Sequence, residues 1–553
     1  MTPARRAGRS SLRQKSEKPV VQQLDPPVSA RPRASRPDPS SRPGTVFAVS
    51  VGLIAAFVLW AAVSPDSLGA VMASSMNWVA GSVGWSYLVV PLLCIGLLLY
   101  LAFSRYGDIR LGSNSARPEF STWAWLAMIL SAVMGIGLIS YGVAEPISHF
   151  MAPPHALAEP ETMDAAVRAM QFSFFDWGPH AWAVFGVFGL AIGYSTHRKN
   201  RPGLVSPMLR PVLGKLIDGW FGKAIDVFAI IATLFGTTTS LGLGASQIAE
   251  GMNRVFGLPT GLPIQIAIIA VITVLFTLSA LSGVHRGIRY ISEITMTLSA
   301  LLAVFVFVAG PTNFVSNLFF RSIGQYASEF FTTSLITPST PDDLQWMQWW
   351  TYFMMAWWLS WGAFVGVFLA KISKGRTIRQ FVAGVLGVPS LVFFAWFTIF
   401  GGTAIKMDMD GAGIGESTTA NINSAFFAML EQLPLVPVTA VLTVVLVALF
   451  FISGADANTY VLSMLSSKGT LKPAKPVLTL WGVLTGACAV LLLVVGGLVA
   501  LQQAAMLSAL PFTIIVALLG ISLILELRKD PEFQLLRHAR LHEIPGADIN
   551  HTH

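Results

Sequence analysis

The chain has 553 residues, of which 54% are hydrophobic and 12% charged, with a mean hydropathy of +0.64. Soluble proteins carry about 25% charged side chains, so a soluble enzyme, a disordered protein and a nucleic-acid-binding domain are excluded. The net charge of +8 sits almost wholly in residues 1–44, where ten Lys/Arg face three acids. Long apolar runs, rather than alternating ten-residue strands, carry the hydrophobicity; this predicts an all-α polytopic membrane protein and excludes a β-barrel.

Residues 1–44 contain eight Pro, seven Ser and no Phe, Trp or Tyr. Such a segment cannot bury a core and reads as a disordered basic tail, either attracted to anionic lipid or simply solvated. The first apolar run begins near Thr45, which predicts an uncleaved span rather than a signal peptide. Twelve spans are expected, at about 45–63, 84–103, 122–144, 165–195, 223–252, 262–281, 289–311, 349–370, 378–402, 435–465, 475–499 and 505–527. With the N-terminus inside, 32 of the 36 Lys/Arg fall in cytoplasmic segments, and only Arg168, Arg254, Arg321 and Lys406 do not. That asymmetry supports twelve spans in the cell membrane with both termini cytoplasmic. Residues 313–333 are too short and polar to span, but Phe314, Leu318, Ile323, Phe330 and Phe331 recur at helical spacing. They predict an amphipathic helix, lying along the outer interface or packed on the spans. Cys94 and Cys488 stand alone in apolar runs, so neither a disulfide framework nor a cysteine metal site is expected.

Span three, with Gly135, Gly137 and Gly142 ahead of Glu145-Pro146, offers either an unwound stretch whose carbonyls coordinate a cation or close helix packing. In span eight, Trp349 and Trp350 fit an interfacial belt. Trp357, Trp358 and Trp361 lie deeper and share one side, and Gly362 and Gly366 follow as an expected break. Deep indoles suit a quaternary ammonium group, each contact contributing about 0.5–2 kcal/mol. Span four adds Trp177, Trp182 and Phe185, a kink at Gly178-Pro179, and Asp176, a carboxylate that is costly in a membrane unless functional or hydrated at a helix end. Thr233 and Thr237 in span five are oxygen donors for Na+ or bond their own backbone. Ser453 and Asp456 in span ten are ion ligands or interhelical glue.

From about residue 45 to 525 these segments resemble the betaine/choline/carnitine transporter family and, within it, the Na+-coupled glycine betaine and ectoine carriers of actinobacteria. The resemblance rests on AWWLSW (Ala356 to Trp361), MGIG (Met134 to Gly137), YGVAEP (Tyr141 to Pro146) and Trp177 with Trp182; SALSGVHRGI (Ser279 to Ile288) and IFGGTA (Ile399 to Ala404) add to it. It implies a LeuT-like core of two inverted five-helix repeats, 122–311 and 349–527. Around them lie peripheral helices within 45–110, an interfacial helix at 313–333 that helps join a homotrimer, and a short cytoplasmic tail at 528–553.

The substrate cation would sit between Trp357, Trp358 and Trp361, with Ser360 beside them. Met134, Gly135 and Gly137 would close the site, and Trp177, Trp182 and Phe185 would line the path. Relatives often have Tyr at Phe185. One Na+ site would use Thr233, Thr237 and Phe364; a second would use Ser131, Met134, Phe450, Ser453 and Gly454. Relatives carry a second hydroxyl at Gly454, a glycine at Val133 and His at Asp176, so the second ion site is weakened, the break in span three is stiffer, and Asp176 offers a proton or cation site. Choline carriers place Asp where Gly137 stands, which favours a zwitterion such as glycine betaine, ectoine, proline or carnitine.

The function so implied is Na+-coupled import of a zwitterionic compatible solute by alternating access, with Na+ the coupling ion and no organic cofactor or other metal. Ion-independent or H+-coupled exchange or symport of betaine, carnitine or choline is the alternative. An embedded enzyme lacks a nucleophile or metal constellation, and deep aromatic boxes bind rather than conduct as a channel must. The tail after Leu525, with five acids against four Lys/Arg, gives no basis for osmotic activation.

Overall fold

The computed structural model describes residues 44–133, 135–282, 285–531 and 534, without the side chains of 131, 132, 136 and 285–292. The basic tail, Met134, the Ser131 side chain and the C-terminal histidines lie outside the described residues. All regular structure among these residues is helical, apart from one isolated bridge between Arg110 and Thr377.

Helix α1 (Thr45–Val63) is followed by α2 (Pro65–Ser82) and α3 (Ser86–Phe103). Hydropathy does not single out α2, because Asp66, Ser74, Ser75 and Asn77 dilute it. The helix forms by burying Leu68, Met72, Met76 and Val79, a stripe at helical spacing. Expected span three is two helices, α4 (Thr122–Val133) and α5 (Ile136–Met151), parted at Gly135, whose backbone is extended. The break occurs despite Val133.

Span four is likewise α6 (Met163–Trp177) and α7 (Pro179–Gly193), parted at Gly178 as its Gly-Pro pair predicts. Proline at the first helical position of α7 loses no bond, since that N–H would be unpaired in any case. A short α8 (Arg210–Leu213) leads to α9 (Trp220–Phe256), 37 residues long, which stops at Gly257 with φ +68°. Helices α10 (Leu262–Ser282) and α11 (His285–Ala309) follow.

The amphipathic segment is helical, as α12 (Thr312–Ser328) and α13 (Phe330–Ser334), and α12 turns 109° from the end of α11. It buries Val315, Leu318, Ser322 and Tyr326 and packs on α6 and on the helix Val388–Met409, while Phe331 stays exposed.

In span eight the break lies elsewhere than expected. Helices α14 (Pro341–Trp349) and α15 (Thr351–Ile372) part at Trp350 (φ −116°, ψ −91°), and α15 runs unbroken through Gly362 and Gly366. A Cβ at either glycine would come within 2.4 Å of Phe188. These two glycines bring α15 against α7 rather than break it.

After α16 (Ile378–Val382) come α17 (Val388–Met409), α18 (Ile414–Ala420), α19 (Ala425–Leu430), α20 (Val436–Ser466) and α21 (Lys475–Arg528). Helix α21 is interrupted at Gly496 and Gly497, just inside the end of the expected eleventh span (475–499); Gly497 has φ +60°, which a side chain would oppose.

Among the described residues, eight helices are long and apolar enough to cross a membrane, or nine if the bent α11–α12 pair is one span. The chain is a multi-pass membrane protein. Helices α4 to α7 fall outside that count because Gly135 and Gly178 cut each run into shorter pieces. Helix α15 lies against α7, α9 and α21, and α5 lies against α6 and α17, so the broken segments meet at the centre. Three of the four basic residues outside the expected cytoplasmic set are paired with acids: Arg168 with Glu329, Arg254 with Glu250 and Glu431, and Lys406 with Asp410. At the other end, Arg198 and Arg201 clamp Asp530 and Glu526, fastening α21 to the end of α7.

Candidate functional site: an aromatic box

Four tryptophans from two helices meet. Trp357 and Trp358 are stacked, with ring centres 5.1 Å apart and planes 19° off parallel. Trp361 stands edge-on to both, at 5.8 and 6.3 Å. Trp177, the last residue of α6, closes the cluster edge-on to Trp358 at 4.9 Å and to Trp357 at 6.4 Å. Trp357, Trp358 and Trp177 are buried, and Trp361 is partly exposed.

Each of the first three rings is held by its own N–H. Trp357 Nε1 donates to the Gly236 carbonyl at 3.1 Å, Trp358 Nε1 to the Asp176 carbonyl at 2.7 Å, and Trp177 Nε1 to Glu145 Oε2 at 2.7 Å. Such bonds fix the ring planes; in the present arrangement Trp357 is stacked between Phe353 and Trp358, so a cation reaches those faces only if the rings part.

Of the other expected substrate residues, Phe185 is edge-on to Trp358 at 6.1 Å, whereas Trp182 stands one ring further out, against Phe185 and Phe393. The Ser360 hydroxyl donates to the Trp357 carbonyl at 2.6 Å, so it is spent on its own helix. Gly137 faces the box directly: a Cβ there would lie 2.6 Å from Trp177 Cη2 and 3.4 Å from Trp357 Cη2. Gly135 has no such neighbour; the nearest atom to its Cβ would be the Val133 carbonyl at 3.6 Å.

Sequence reasoning missed Tyr141, Phe353, Phe393 and Phe397, which pack on Trp177 or Trp357 at 5.0–6.2 Å. The signal for Tyr141 was available in YGVAEP; the three phenylalanines are indistinguishable from core residues in sequence. Beside the box lies a cavity of about 470 Å3 lined by Tyr141, Ser148, Trp346, Trp350, Thr419 and Gln502 among others. Tyr141 belongs to both cavity and box, so its ring is the partition between them.

Of the residues expected at the first ion site, Thr233 and Thr237 meet Asn458. Thr237 Oγ1 donates to the Thr233 carbonyl at 3.0 Å and accepts from the Asn458 amide. Thr233 Oγ1 and Asn458 Oδ1 are buried without partners, two oxygens of the hard kind Na+ takes. Asn458 was not foreseen; it lies two residues past Asp456, which drew attention instead. Phe364 is set against Trp361 at 6.0 Å.

At the second site, Ser453 Oγ donates to the Phe450 carbonyl at 3.1 Å, and a Cβ on Gly454 would meet nothing within 4 Å. Asp456 accepts from Ser279 Oγ at 2.5 Å and acts as glue between α20 and α10. Asp176, next to last in α6, is fully buried, with Glu145 and His149 beside it.

The betaine/carnitine/choline family transporter model matches residues 45–532, nearly the whole described chain. The chain belongs to this family. It is 45% identical over 487 residues to the glycine betaine transporter OpuD of Bacillus subtilis, covering 88% of this chain and 94% of that protein. It is 40% identical over 476 residues to an ectoine/hydroxyectoine transporter of Virgibacillus pantothenticus (86% and 94%) and 38% over 501 residues to the betaine/ectoine transporter LcoP of Corynebacterium glutamicum (90% and 79%). As a betaine/carnitine/choline family member the protein is a transporter and not an enzyme.

Proposed function

We propose that the protein imports a zwitterionic compatible solute, glycine betaine or ectoine, by Na+ symport and alternating access. The carrying observation is the box of Trp177, Trp357, Trp358 and Trp361 with Gly137 against it. Four indoles supply a cage for a quaternary ammonium or similarly delocalised cation. With Gly137 on that wall, no carboxylate stands there on the inner side of the box; Glu145 and Asp176 lie behind the rings, and the substrate brings its own. Twelve spans, two inverted repeats over 122–311 and 349–527, cytoplasmic termini in the cell membrane and a homotrimer complete the reading.

Na+ would be held at Thr233 and Asn458, whose open oxygens lie on α9 and α20. The second site would be weak, since Ser453 spends its hydroxyl on Phe450 and Gly454 offers none. Charge coupling then needs one tight ion rather than two.

The test is uptake of radiolabelled glycine betaine and ectoine into proteoliposomes, with and without an inward Na+ gradient. Gradient-dependent uptake that collapses in Trp358→Ala is the expected result. Uptake indifferent to Na+, and driven instead by substrate loaded inside or by a proton gradient, overturns sodium coupling.

A further inference from the structure

Behind the box, three ionisable side chains converge with no cation among them. Glu145 and His149 stand one turn apart on α5, and Asp176 enters from the end of α6. All three are fully buried, and their candidate ligand atoms lie within 4.8 Å of one another. Glu145 Oε1 is 3.9 Å from His149 Nε2, too far for a hydrogen bond. Five polar atoms there have no partner: Glu145 Oε1, both oxygens of Asp176 and both ring nitrogens of His149. The buried hydroxyls of Ser173 and Thr351 reach toward Glu145 and Asp176 respectively, at the edge of hydrogen-bonding geometry. Among the described residues no lysine or arginine pairs with Glu145 or Asp176.

We propose that Glu145, His149 and Asp176 form a binding site for one divalent transition-metal ion, with Ser173 and Thr351 orienting the carboxylates. The donor set decides the chemistry. One imidazole with two carboxylates suits Zn2+ or Mn2+ rather than a thiolate-seeking ion. The two charges of the metal balance the two carboxylates, which bare would be costly at this depth. A single proton shared by the carboxylates would leave His149 unpaired; a metal engages all three residues. Tetrahedral zinc needs ligand atoms about 3.4 Å apart, so atoms now up to 4.8 Å apart close by up to about 1.4 Å.

Access is short, because the His149 ring lies against Trp346 and Trp350, at 5.1 and 4.8 Å, and both of those line the 470 Å3 cavity. The site is wired to the box: Glu145 Oε2 accepts from Trp177 Nε1, and the Asp176 carbonyl accepts from Trp358 Nε1. Metal bound there would pin Trp177 and slow the ring movements that admit substrate. Only this last consequence rests on the transport reading.

The test uses the purified full chain with His538, His542, His551 and His553 replaced by Asn, so that the tail adds no ligands. Zn2+ is titrated calorimetrically, and bound metal is counted after dialysis by mass spectrometry. One equivalent per chain is expected, with X-ray absorption showing one imidazole and otherwise oxygen ligands. Asp176→Asn and His149→Gln should each weaken Zn2+ binding at least about tenfold. Glycine betaine binding, followed by tryptophan fluorescence on the same samples, shows that the variants are folded and tests the transport reading separately. Less than one equivalent in the parent chain, or unchanged affinity in Asp176→Asn with betaine binding intact, overturns the metal site and leaves a proton-sharing carboxylate pair.

Discussion

Gly137→Ala should damage the box although it adds one methyl group. The new Cβ would fall 2.6 Å from Trp177 Cη2. Trp177 has nowhere to retreat: Trp358 stands at 4.9 Å, Phe397 at 5.0 Å and Tyr141 at 5.9 Å, and its N–H is tied to Glu145. Overpacking of this kind costs about 1–3 kcal/mol. If the bound state bears about 2 kcal/mol of it, substrate affinity falls about 30-fold. Gly135→Ala is the control, because its Cβ would find ordinary contact at 3.6 Å and its extended backbone suits any residue. The assay is concentration-dependent glycine betaine uptake, with thermal unfolding to separate binding from stability. Parental affinity in the Gly137→Ala carrier, or equal damage from both substitutions, would refute the assignment of Gly137 to the wall of the box.

Trp358→Phe keeps an aromatic face but removes the N–H bonded to the Asp176 carbonyl; uptake affinity should fall about three- to thirtyfold, from the lost cation–π strength and a freer ring, and Trp358→Ala should do worse, which competitive uptake measures. Gly454→Ser places a hydroxyl where nothing lies within 4 Å of the Cβ, so it should be accommodated and lower the Na+ concentration for half-maximal uptake; a higher one contradicts the second-site reading. At the junction of α12 and α13, burial pushes the Glu329 carboxyl up, but hydrogen bonds from Arg168, Gln171 and Gln325 outweigh it and hold it below the usual range. A depressed carboxyl contributes stability above its unfolded value of about 4.3, which is lost as pH falls through the lower folded value. Glu329→Gln should therefore flatten the acid limb of melting temperature against pH, and an unchanged limb would remove Glu329 from that role.

Much of this was legible in the chain because membrane helices must satisfy their backbones internally. Apolar runs thus marked most of the helices, and Gly178-Pro179 marked a break. Trp357, Trp358 and Trp361 could be grouped because they share one helix, where spacing alone fixes proximity. The Glu145–His149 pair shared that signal at i,i+4, but its third member comes from α6, and no spacing reports a contact across helices. Asn458 was obscure for the same reason. The break at Trp350 escaped because its residue type is not a helix breaker, while Gly362 and Gly366, which are, turned out to face Phe188. Helix α2 escaped because tertiary burial of one stripe, rather than mean hydropathy, sustains it.

The stacked pair Trp357–Trp358 gives the protein a built-in optical reporter. Two indoles 5.1 Å apart and nearly parallel exchange excitation energy, and their split transitions produce a paired positive and negative circular-dichroism band. The sign and size of that couplet follow the angle and distance between the rings. A solute that parts or rotates them would therefore register its own arrival in the far ultraviolet, with no label attached and no transport assay running.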